Sequence, residues 1–160
     1  MILRDDNSKW VFEMRIIGYQ YTDQEEVSDF DSKWLRQSFK VSYQKKEWQW
    51  VSSSLILEEV PQLIDWLCAI ANNEEVKTNI DFIEPDIRFE LVQRDNEWAT
   101  IRVCLARNWG FRKHSFKEHW KASSHIEYET DEVCQDFKVH LSSLLLAANS
   151  LIDDLKHLVK

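Results

Sequence analysis

Gly18 and Gly110 are the only glycines in 160 residues, and that scarcity closes most routes by which a chain of this size becomes a phosphate- or cofactor-binding enzyme. Phosphate-cradling loops, dinucleotide fingerprints and nucleophile elbows need glycines at fixed spacings, because the backbone there adopts left-handed dihedrals or approaches a ligand closely. None can be built here. Eight tryptophans and eight phenylalanines describe a rigid, aromatic-rich scaffold instead, and no cofactor is expected.

A chain of this length fits one domain, residues 1–160, able to bury a core without disulfides or metal as staples. No apolar run approaches the roughly 20 residues that span a bilayer. The start, Met1-Ile2-Leu3-Arg4-Asp5-Asp6, lacks a basic segment followed by an apolar stretch, so a cytoplasmic protein with no membrane partner is expected. Cys68, Cys104 and Cys134 are odd in number, far apart and set in periodic segments, which reads as buried free thiols. Without a CxxC pair no zinc ribbon fits. Twenty basic against 28 acidic residues leave a net charge of −8, which repels nucleic acid at long range and favours basic partners.

Trp10, Phe12, Met14 and Ile16 alternate with Val11, Glu13, Arg15 and Ile17, the period of a strand, and Gly18 marks its end or a bulge. Leu35, Phe39, Val41 and Tyr43 oppose Arg36, Ser38, Lys40 and Ser42 in a second strand with one wet face. A Gln44-Lys45-Lys46 turn leads to a hairpin arm carrying Trp48 and Trp50. From Leu57 the period changes: Val60, Leu63, Ile64, Leu67 and Ile70 form a helical stripe ending near Asn72-Asn73, with Glu58 and Glu59 at the positive end of its dipole. Short alternating runs at 79–83, 86–92 and 97–105 extend the sheet, and residues 125–128 offer one more strand. Thr130-Asp131 reads as the cap of a long closing helix carrying Val133, Phe137, Leu141, Leu144, Ala148, Leu151 and Leu155, about 40 Å long at 1.5 Å per residue. Strands preceding helices without βαβ alternation predict an α+β fold: a mainly antiparallel sheet of six to eight strands with one mid-chain and one C-terminal helix.

The strongest candidate site is residues 21–32, which hold Asp23, Glu25, Glu26, Asp29 and Asp31 and no basic residue. Carboxylates spaced like phosphates engage the Arg/Lys-lined cleft of a nuclease and speed encounter, while the plain alternative is a solvated loop that keeps the protein soluble. Tyr19 and Tyr21 are the adjacent aromatic anchors. The acid spacing fits no calcium loop. Residues 107–121 interleave Arg107, Arg112, Lys113, Lys117 and Lys121 with Trp109, Phe111, Phe116 and Trp120, the ingredients of a single-strand nucleic-acid binder but equally of a packed segment. His114, His119 and His125 lack metal-ligand spacing, so no metal site is assigned. The serine strings at 52–54 and 123–124 lack an elbow, and Glu84 and Asp86 around Pro85 read as a turn rather than a hydrolytic acid pair. No catalytic residue is assigned.

Together, Ile16-Ile17-Gly18-Tyr19-Gln20-Tyr21 before the acidic loop, Ser32-Lys33-Trp34-Leu35, Leu63-Ile64-Asp65-Trp66-Leu67 and Phe82-Ile83-Glu84-Pro85-Asp86-Ile87-Arg88-Phe89-Glu90 resemble the WapI-type bacterial immunity proteins. The resemblance covers roughly the first 105 residues and, more loosely, the closing strand and helix. It implies a cytoplasmic, non-enzymatic protein that binds and blocks the C-terminal domain of a cognate contact-dependent toxin, often a nuclease. The quoted segments are scaffold; the acidic loop is assigned as the toxin-binding surface from electrostatics alone, with a nucleic-acid module built on 107–121 as the alternative.

Overall fold

Alternation sets the first layer. In a computed structural model that describes residues 1–21, 26–106, 120–122 and 132–158, β2 (Trp10–Tyr19) buries Trp10, Phe12, Met14 and Ile16 and turns Val11, Glu13, Arg15 and Ile17 outward, as period two requires. It lies between β1 (Ile2–Arg4) and β3 (Trp34–Tyr43), and β4 (Lys46–Ile56) completes an antiparallel sheet in the order β1-β2-β3-β4. The β2–β3 register slips between Ile16 and Gly18, where Gly18 has φ +152°. A β-bulge there is cheapest without a side chain.

The chain then leaves the sheet. Helix α1 (Glu59–Ala71) buries Val60, Leu63, Ile64, Trp66, Leu67 and Ile70, each worth about 1.5–3 kcal/mol relative to exposure. Asn73, with φ 59°, follows its end, as a left-handed terminator does. Because α1 interrupts the run of strands, the remaining ones form a second antiparallel sheet in the order β5-β6-β7-β9-β8: β5 (Asn79–Ile80), β6 (Ile87–Arg94), β7 (Trp98–Ala106), β8 (Lys121–Ala122) and β9 (Glu132–His140). The closing helix α2 (Leu141–Lys156) packs against α1. The architecture is α+β, antiparallel, with one mid-chain and one C-terminal helix.

Phe12 joins the two sheets. Its ring lies 6.3 Å from Phe39 in its own sheet and 6.2 and 6.4 Å from Phe89 and Phe137 in the other, the offset and edge-on spacings aromatic rings prefer. Beyond the three residues of β1, the outer edge of β2 is finished by other groups. The Met1 amine donates to Met14 O and Ser150 Oγ, and Asp154 of α2 accepts from Ile16 N at 3.0 Å and from Arg15 Nε at 2.9 Å. Burial pushes the Met1 amine down to about 6.

Two expectations are corrected. The helix expected from residue 131 begins at Leu141, with His140 Nδ1 accepting from Ser142 N. Residues 132–140 are strand β9, so α2 spans about 24 Å at 1.5 Å per residue. The spacing of Val133 to Phe137 suits helix and strand alike, and Gln135 hides the alternation between them. Of the thiols expected free, Cys104 and Cys134 are bonded to each other across β7 and β9, while Cys68 on α1 is free and half-buried. The strand expected at 125–128 lies outside the described residues.

Candidate functional site

The β2–β3 loop is closed at its base by Tyr19 opposite Leu35 and by Gln20 N donating to Trp34 O at 2.8 Å. Its second half is an ordered turn rather than a loose charge run. Ser28 Oγ accepts from Asp31 N at 3.0 Å and donates to the Asp31 carboxylate at 2.7 Å, and Ser32 N donates to Ser28 O. Both Asp31 bonds meet at the Ser28 hydroxyl and tie residues 28 and 31 into a tight turn. It opens the 3-10 turn Asp31–Lys33.

This turn displays Asp29 and Phe30. The Phe30 side chain is 48% exposed and stands edge-on to Trp34 at 6.1 Å, so it is braced from beneath and open above. Glu26, Val27 and Asp29 are exposed around it and Asp31 is half-buried. Lys33, the cation that ends the turn, is drawn away to Glu58 at 2.5 Å, whose carboxyl its hydrogen bond holds below the usual carboxylate range. The described surface is therefore anionic with an apolar centre.

Sequence reasoning placed the acids here but chose Tyr19 and Tyr21 as anchors, and both are half-buried. Phe30 was missed. Its signal was the Ser28-x-x-Asp31 spacing, which marks the helical turn that lifts residues 29 and 30 outward. Asp23 and Glu25 lie outside the described residues, as do Arg107 to His119 and His125. Of the basic-aromatic segment, Trp120 is buried, 6.1 Å from Trp10 and 6.2 Å from Phe137. It serves packing and offers no open face for a base.

On the outer face of the second sheet Arg88 pairs with Glu90 and Glu132, and Arg102 with Glu90 and Asp136. An open depression of about 290 Å³ beside them is lined by Thr78, Asn79, Arg88, Glu90 and Leu91. Glu132 and the sulfurs of Cys104 and Cys134 fall within 4.8 Å of one another, but the sulfurs are bonded together and Glu132 is held by Arg88, so the trio presents no thiolate to a metal. Burial, and then the charge of Glu84, raise the Asp86 carboxyl to about 6. Glu84 itself is exposed, and neither acid lines the depression.

A family model described as the immunity protein WapI-like family matches residues 1–158. The chain belongs to that family. The match extends the resemblance seen over the first 105 residues through β9 and α2. No curated protein and no solved structure matches the chain.

Proposed function

We propose that this WapI-like protein neutralises the C-terminal domain of a cognate contact-dependent toxin by covering its active site, and turns over no substrate itself. The contact surface is the β2–β3 loop, with Glu26, Asp29 and Asp31, joined in sequence by Asp23 and Glu25, and with Tyr19 and Tyr21 at its base. The observation that carries the reading is Phe30, held open between Asp29 and Asp31 on a hydrogen-bonded turn in a chain of net charge −8. An aromatic anchor inside a ring of charge is the anatomy of an interaction hot spot. The carboxylates match a basic, nuclease-type cleft, and the protein acts in the cytoplasm of the cell that makes the toxin.

The two kinds of residue have different kinetic signatures. Reversing charge with Glu26→Lys and Asp29→Lys should slow association about tenfold at low salt and flatten its salt dependence. Phe30→Ala should act on dissociation instead, weakening the complex about 30-fold, as losing a hot spot of about 2 kcal/mol does. The measurement is binding kinetics against the cognate toxin domain, with thermal unfolding of each variant as the folding control. Wild-type rates and undiminished protection in folded variants would place the interface elsewhere.

A further inference from the structure

Cys104 and Cys134 face each other directly in the β7–β9 register, with Cα atoms 4.2 Å apart, the close spacing of a non-hydrogen-bonded antiparallel pair. They lie on the ionic face of the sheet, two residues along from Arg102 and Asp136. The ladder that aligns them runs from Trp98 opposite His140 to Ala106 opposite Glu132, so the two sulfurs are juxtaposed whether or not they are bonded. Among the described residues the other edge of β9 is met by β8, through Lys121 opposite Cys134 and Ala122 opposite Val133, and further along by Asp5 and Asp6, which bond Lys138 N and O. Releasing those two β8 pairs, with Trp120 just before them remaining in the core, uncovers β9 at Cys134. In a protein that meets cellular thiols, such a pair exchanges rather than serving as a permanent staple.

We propose that Cys104 and Cys134 form a reversible dithiol–disulfide couple that sets the stability of the second sheet. An external thiolate bonds to Cys134 Sγ, the Cys134–Cys104 bond breaks, and Cys104 leaves as a thiolate that takes up a proton. A second external thiolate attacks the external sulfur of the mixed disulfide, releasing the oxidised reagent and freeing Cys134, which is protonated. Two external thiols thus supply two electrons and two protons. Closing a loop between residues 30 apart restricts the unfolded chain, so the oxidised form is the more stable one. Cys68, half-buried on α1 with its thiol pushed up by burial, stands outside the couple and is an internal control.

The test equilibrates the folded protein in glutathione buffers from oxidising to reducing, quenches with acid, alkylates under denaturing conditions and counts thiols by mass. The expected count moves from one to three within the buffer range, and Tm falls by roughly 5–15 °C on reduction. Cys134→Ser should show the lower Tm and no redox response, while Cys68→Ser keeps the full response. Three thiols even in fully oxidised buffer, or a disulfide that survives excess dithiothreitol in the folded protein, overturn the proposal. So does reduced protein that binds added zinc tightly enough to block reoxidation, which makes the pair a metal site. The thiol count on the wild-type chain stands even where a variant fails to fold.

Discussion

Gln37 is fully buried on β3, at a position where the strand's alternation calls for an apolar residue. The register slips between Leu35 and Gln37, and the side chain repairs the break: its Oε1 accepts from Ser54 N at 2.9 Å and Ser54 Oγ at 3.1 Å, while Nε2 donates to Leu35 O. Gln37→Leu keeps the volume and strands a buried N–H, so chemical denaturation should show a loss of about 1–3 kcal/mol. Asp86 illustrates the opposite case, a charge the fold tolerates poorly. Its carboxyl sits at about 6 in the folded chain, above the ordinary 3.8, so the native state holds more protons than the unfolded one between those values. Stability from this group is therefore complete below about pH 4 and lost as pH rises through about 6. Asp86→Asn should flatten the Tm profile between pH 4 and 6 and raise Tm at pH 7, with little change at pH 3.5. An unchanged profile would mean that the carboxyl is ordinary.

Elements were legible where one periodicity had no rival. β2 followed from strict alternation, β3 from an alternation interrupted at Gln37, and α1 from a clean three-four stripe over thirteen residues. β9 was hidden because Val133 and Phe137, four apart, satisfy both periods, while α2 has a histidine cap in place of the usual serine, threonine or aspartate. The disulfide was illegible for the same reason: cysteines 30 apart become neighbours only once 132–140 is a strand opposite β7. Among the polar ties between α2 and the first sheet, Asp154 answers both Arg15 and the Ile16 N–H beside the bulge. Asp154→Ala should cost about 2–3 kcal/mol, since bonds to a charged acceptor are lost and a buried donor is orphaned. Hydrogen exchange at Ile16 should accelerate in that variant ahead of global unfolding. Wild-type protection at Ile16 would show that the helix is not what seals this edge.

For the whole molecule, the acidic character of the β2–β3 loop was readable in composition, but its order was not. A run of carboxylates reads as solvated until the Ser28–Asp31 bonds show a turn with a raised phenylalanine. Phe30 stands against Trp34 while Lys33 pairs with Glu58, and the second of these contacts spans residues 25 apart that no local pattern links. Elsewhere on the described surface, single exposed apolar side chains such as Ile17, Val51 and Leu146 are ordinary for a folded protein. On the proposed reading, this turn is the working face. Hydrogen exchange on the complex with the cognate toxin domain tests that directly. The account predicts slowed exchange across residues 26–34, with α2 and the outer face of the second sheet unchanged; protection of those surfaces with residues 26–34 exchanging as in the free protein would contradict it.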